Sequence, residues 1–279
     1  MVTASILENR ALIALNGSEA RDFLQGLITN DMEACREGHA IYGALLTPQG
    51  KILFDFFVVA NGESRWLLDC AASRVGDLAK RLSLYRLRAK VEIVPRPDLT
   101  VAAIWNESGA IAAKTDMVMF PDPRLRDLGI RMIGARAALE EATRNMSPGD
   151  YDSHRLKLGV PDSADLPSDQ VFALDAGFEE LNGVSFKKGC YVGQEVTARM
   201  KHRASARKRF LTAEIAGEIP AGTPVEAEGR ELGTLASGKD GRALALVRLD
   251  RLEDAEGKHA PITAAGRQVI LRKPEWLKP

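Results

Sequence analysis

Ile41-Tyr42-Gly43-Ala44-Leu45-Leu46-Thr47-Pro48-Gln49-Gly50-Lys51-Ile52-Leu53-Phe54-Asp55-Phe56-Phe57-Val58-Val59 reads as two strands joined by a turn. Residues 41–46 are extended and apolar, Thr47-Pro48-Gln49-Gly50 supplies the reversal, and residues 51–59 form a nearly continuous apolar run suited to a buried strand. Upstream, Ser18 is a good N-cap for a helix that places Phe23, Leu24, Leu27 and Ile28 on one face. Downstream, residues 66–70 form a strand, and Ser73 caps a helix with Val75, Leu78, Ala79 and Leu82 inward. Strands at 90–94, 99–105 and 129–133 follow, then helices at 135–144 and 151–158. Antiparallel strands mixed with helices define an α+β core. Beyond Arg209 the pattern changes to short strands at 210–215, 224–227, 231–236, 242–249 and 267–272, with Gly229-Arg230 at a hairpin turn. That spacing predicts an all-β, barrel-like domain. The expected division is 1–205 and 206–279.

The chain has 279 residues, 45% hydrophobic and 27% charged, with 38 basic side chains against 38 acidic ones. A net charge of zero excludes whole-molecule electrostatic binding to nucleic acid, so such a role would need a local patch. No uncharged apolar run approaches the roughly 18 residues of a membrane span. The run at 52–60 is interrupted by Asp55. The first ten residues lack a basic start and apolar run, which predicts no secretory signal. Cys35, Cys70 and Cys190 form no disulfide framework, and an odd count suits a reducing compartment. These features predict a cytoplasmic protein with no membrane partner.

Chemistry concentrates in Asn182-Gly183-Val184-Ser185-Phe186-Lys187-Lys188-Gly189-Cys190-Tyr191-Val192-Gly193-Gln194-Glu195-Val196-Thr197-Ala198-Arg199. Glycines on both sides of Cys190 permit sharp turns and close approach. Lys187 and Lys188 favour a thiolate, the form that ligates metal. Arg199, Lys201, Arg203, Arg207 and Lys208 extend the basic character against one acid, Glu195. Cys35 and Cys70 read as small core residues, and His202 as a solvated surface histidine. The basic run lacks interleaved aromatics for base stacking, so nucleic acid is not expected as the primary partner.

Lys188-Gly189-Cys190-Tyr191, followed by Gly193-Gln194-Glu195 and Arg199, resembles the signature of the YgfZ-type family within the glycine-cleavage T-protein superfamily. Phe23-Leu24-Gln25-Gly26, Thr29-Asn30-Asp31, residues 45–53 and residues 155–162 carry the same resemblance, and the wording around Arg155 and Asn182 is closer to the mitochondrial-like branch. The resemblance implies a three-lobed ring: two interleaved α+β lobes in 1–205 and a C-terminal β-barrel. It implies tetrahydrofolate as a ligand and a role in iron–sulfur cluster maturation. It makes Cys190 the functional thiol and metal ligand. Lys188, Gly189, Tyr191, Gly193, Gln194, Glu195, Arg199 and Asp55 become the candidate cofactor contacts.

T-proteins are folate-dependent aminomethyltransferases, the alternative function. They carry adjacent aspartates where this chain has Phe54-Asp55, and a glutamate where it has Lys157, which donates hydrogen bonds but accepts none. An iron–sulfur cluster takes about four ligands, mostly thiolates, and three scattered cysteines form no cage. The expectation is therefore an accessory factor in which Cys190 shares a cluster with a partner, an A-type carrier protein.

Overall fold

Side-chain alternation along the strand Ile52–Ala60 gives that strand two faces with different tasks. In the computed structural model, which describes residues 1–106, 117–203 and 207–277, this strand lies within a five-stranded antiparallel sheet. Ile41–Leu46 flanks it on one side and Arg65–Ala71 on the other, and Arg10–Asn16 and Glu92–Pro95 complete the order. A bulge between Leu45 and Leu46 bends the hairpin beside its turn. Phe56 and Val58 face outward, where Leu24, Leu78 and Leu82 of the helices Ala20–Gln25 and Val75–Arg86 cover them. Phe57 and Val59 face inward.

A companion sheet has the order Ser147–Pro148, Thr3–Ile6, Thr100–Trp105, Ile130–Gly134 and Val118–Pro121. The helix Arg136–Thr143 packs Leu139 on its outer face, against Ala102, Ile104 and Met132. The chain begins in this sheet at Thr3–Ile6, crosses to build the hairpin sheet, and returns at Thr100–Trp105. Six strands from Lys208–Ile215 to Arg267–Arg272 form a closed barrel, the last pairing with the first. Leu12 and Phe57, Trp105 and Ile133, and Phe210 and Val225 join the inner faces of all three units in one core. This is the expected α+β architecture with a C-terminal β-barrel.

Local expectations differ in places. The early helix is shorter, Ala20–Gln25, because the chain leaves it at Gly26 so that Ile28 can bridge to Leu45. Ser73 lies inside the 3₁₀ turn Ala72–Arg74 rather than capping the next helix. The barrel turn is Glu228-Gly229, both at positive φ, one residue before the expected pair, because Ala227 pairs with Arg230. The division expected between residues 205 and 206 lies outside the described residues.

Candidate functional site

The segment around Cys190 is irregular, so its backbone groups need partners from elsewhere in the fold. Thr29 and Asn30 supply several. The Thr29 hydroxyl donates to the Gly183 carbonyl (2.6 Å) and accepts the Ala44 N–H (2.9 Å). The Asn30 amide donates to the carbonyls of Tyr42 (2.8 Å) and Asn182 (2.7 Å). The Ser185 N–H donates to the Thr29 carbonyl (3.0 Å). The segment is thereby tied to the hairpin strand Ile41–Leu46.

Lys188 makes the strongest anchor. Its ammonium donates to the carbonyls of Gln25 (2.7 Å), Ile28 (2.7 Å) and Asn30 (2.8 Å), and it lies 5.1 Å from the centre of the Tyr191 ring. The residue is only 7% exposed, and burial pushes its ammonium down to about 8. Lys188 therefore does not act as the free cation beside the thiol that the sequence suggested. All three of its protons are directed at backbone carbonyls.

On the far side, Gly193 (φ +83°) and Gly50 (φ +81°) let the segment meet the hairpin turn backbone to backbone. A Cβ on Gly193 would lie 2.6 Å from the Thr47 carbonyl oxygen, so any side chain there would force the two apart. Gly193 also caps the helix Gln194–His202, which carries Glu195 and Arg199 into solvent. Tyr191 is buried, and its hydroxyl has no hydrogen-bond partner of good geometry.

Between these two anchors Gly189 and Cys190 are exposed. Cys35 is buried against the hairpin sheet and Cys70 within it, with thiols directed at the carbonyls of Val58 and Ala11 respectively. Burial pushes these thiols up to about 11 and about 12, which makes them inert. Among the described residues no group of three or more His, Cys, Asp or Glu side chains could hold a metal ion. Lys187, Arg199 and Arg203 are exposed and make no ion pair among the described residues, whereas Lys201 pairs with Glu179.

Asp55 is not part of this surface. It faces the interior, is 5% exposed, and accepts a hydrogen bond from the Tyr42 hydroxyl (3.1 Å). Burial raises its carboxyl above the usual range, against the opposing pull of Arg10. The cavity beside it, lined by Phe54, Cys70, Arg74 and Ser163, holds about 10 Å³. Lys157 lines a different, open cleft of about 570 Å³ with Arg126 and His154. The two positions where T-proteins place carboxylates thus border separate spaces.

Much of the remaining interior is occupied by buried ion pairs. Asp69 accepts from Arg10 (2.6 Å) and Arg131 (2.9 Å), and Asp122 from Arg124 (2.9 Å) and Arg131 (3.0 Å). The guanidinium groups of Arg10, Arg124 and Arg131 lie 5.5, 4.9 and 4.0 Å from the centre of the Phe57 ring. A ligand of folate size needs about 300–1,000 Å³ with convergent polar groups, so the residues around Asp55 do not fit tetrahydrofolate. Calorimetric titration with tetrahydrofolate should accordingly show no binding that depends on Asp55. Saturable binding that Asp55→Asn abolishes would contradict this assignment.

Residues 207–279 match the family described as the CAF17 C-terminal β-barrel domain, and residues 7–105 match the GCVT N-terminal domain. A glycine-cleavage aminomethyltransferase from Bartonella henselae shares the fold at a TM-score of 0.78 and 16% identity, covering 99% of this chain and 86% of that one. Fold and domain composition define a protein of the aminomethyltransferase superfamily.

Within it, the human mitochondrial iron–sulfur cluster assembly factor IBA57 is 33% identical over 97% of this chain and 84% of its own length. The mouse protein is 31% identical over 88% of this chain and 78% of its own. The chain belongs to the IBA57 family, a close relative of the YgfZ type. These relatives, like that of Neurospora crassa, are named as mitochondrial. That overturns the cytoplasmic expectation: the names point to the mitochondrion, which composition and cysteine count do not distinguish from another reducing compartment.

Proposed function

We propose that this protein is an accessory factor of iron–sulfur cluster maturation in which Cys190 supplies one thiolate to a cluster shared with an A-type carrier protein. The observation that carries this reading is the presentation of Cys190. It is an exposed thiol on a loop clamped at both ends, and among the described residues no group of three or more metal-binding side chains is assembled around it. One fixed ligand leaves most of the iron coordination to be completed by another protein. Lys187, Arg199 and Arg203 favour an acidic partner by charge complementarity. The alternative, aminomethyl transfer, requires an accessible carboxylate at the ligand, and Asp55 is sealed inside.

The test is anaerobic mixing with a cluster-loaded A-type carrier. The mixture should show a visible spectrum different from that of the carrier alone. Cys190→Ser should still dock while losing the spectral change, and it should fail to restore cluster enzymes in cells lacking the protein. Lys187→Glu with Arg199→Glu should slow association about ten-fold at low salt. A stable cluster in the isolated protein, unaffected by Cys190→Ser, would overturn the shared-ligand reading.

A further inference from the structure

The helix Val75–Arg86 turns Leu78 and Leu82 into the core. Leu84 and Leu87 depart from that stripe and stand in solvent, 65% and 86% exposed. Leu87 also ends the helix in a conformation that L-residues seldom adopt, φ +46° and ψ −106°. The reversal that imposes it is tight. The Ala89 N–H donates to the Arg86 carbonyl and the Val91 N–H to the Ala89 carbonyl, both at 2.8 Å. Glycine would take this position without strain, yet a large apolar side chain is held there and directed into water. Strain retained at an exposed apolar residue points to a use for that side chain.

Residues 80–90 also carry Lys80, Arg81, Arg86, Arg88 and Lys90 and no acid. All five are exposed and none is in an ion pair among the described residues. The neighbouring carboxylates are Glu19, which accepts the Lys90 backbone N–H, Glu92, which accepts the Asn16 amide, and Asp77 a helical turn earlier. In a chain of zero net charge, five cations thus surround two protruding leucines.

We propose that this helix tip is a peripheral docking surface for an anionic lipid bilayer. A side chain 86% exposed stands proud of the surface. A fluid apolar phase receives such a side chain without complementary shape, whereas a protein partner would need a matching socket. The cations, spread along eleven residues, suit a surface dense in phosphate more than one carboxylate. No helix among the described residues is long and apolar enough to cross a membrane, so the contact is with the surface only. This proposal is independent of the role of Cys190.

Co-sedimentation of the full-length protein with vesicles tests it. Phosphatidylcholine vesicles containing about one-third phosphatidylglycerol should retain the protein at low salt about ten-fold better than pure phosphatidylcholine. Binding should weaken as salt rises from about 50 to about 300 mM. Leu84→Ser with Leu87→Ser, and separately Arg81→Glu with Arg88→Glu, should each reduce retention about ten-fold with circular dichroism unchanged. Leu87→Gly gives a readout that a structural role would not: it should weaken vesicle binding while leaving the thermal midpoint unchanged or higher. Equal retention on neutral and anionic vesicles, or unaltered binding by these variants, would overturn the proposal. So would leucine-dependent retention on immobilised polyglutamate without vesicle binding, which would assign the surface to an acidic protein.

Discussion

Asp122→Ala is expected to destabilise the protein by about 3–5 kcal/mol, the range for removing one partner of a buried ion pair. Asp122 accepts from both Arg124 and Arg131, and the side chains of all three are essentially inaccessible. Without Asp122, Arg124 retains a neutral carbonyl at Pro161 and the Tyr151 hydroxyl, neither of which carries charge. In a chain of this size the loss should lower the apparent thermal midpoint by roughly 6–20 °C. Replacing Asp122 and Arg124 together by Leu and Met should cost much less, because no charge is left stranded.

The pH dependence has a fixed sign. Arg124 and Arg131 overcome burial and hold the Asp122 carboxyl at about 2, and Arg10 and Arg155 hold that of Asp162 lower still. Both lie below their unfolded values, so their stabilisation is complete above about pH 4 and is lost as pH falls toward 2. Acid titration of the thermal midpoint should show this decline in the wild type and a shallower one in Asp122→Ala. An Asp122→Ala protein within 1 kcal/mol of wild type would refute the account, since about that much follows from an ordinary substitution.

Where apolar periodicity carried the signal, the fold was legible. The hairpin, the helix Val75–Arg86 and five of the six barrel strands all follow it. It failed where a charged residue sits in the core. Arg10, buried at the start of the strand Arg10–Asn16, puts a charged letter where that strand begins, and the strand was missed; the strands holding Asp69 and Arg131 were legible from their apolar neighbours. The helix Gln194–His202 was missed for a different reason: Thr197 is its one buried residue, so it has no apolar stripe to read. The exposure of Cys190 was legible from the glycines and the polar stretch around it. The separation of Asp55 from Cys190 was not, since only the burial pattern of the folded sheets places one inside and the other outside. Phe186, four residues before Cys190, is 39% exposed and lies 5.9 Å from the Lys201 ammonium, a contact that sequence spacing did not show.

Lys188 shows how far a local reading can mislead, and its replacement should have the second large effect. In a run of basic residues it reads as one more solvated cation. In the fold it gathers three carbonyls 158–163 positions earlier in the chain and so fixes the loop on which Cys190 stands. Lys188→Ala would leave the Ile28 carbonyl buried and those of Gln25 and Asn30 part-buried without this donor, at a cost of about 1–3 kcal/mol for each group that water cannot reach. We expect a total near 2–5 kcal/mol, since neighbouring groups do not add fully. Lys188→Arg should not rescue it, because a planar guanidinium cannot direct three protons into one cradle.

A pH readout separates this anchor from a merely global effect. Burial has placed the Lys188 ammonium near 8, below its unfolded value. Global stability contributed by this group therefore does not fall between pH 8 and 10; linkage makes it rise. The loop should likewise hold over that interval, because an opening that releases Lys188 to water restores its ordinary proton affinity and is disfavoured by the same linkage. Amide exchange at Ser185, corrected for intrinsic rates, should therefore slow as pH rises above 8 in the wild type. In Lys188→Ala it should be fast at every pH, and the spectral change with a cluster-loaded carrier should be reduced even though Cys190 is intact. A variant with slow exchange at Ser185 and an undiminished spectral change would show that the clamp does not position the thiol.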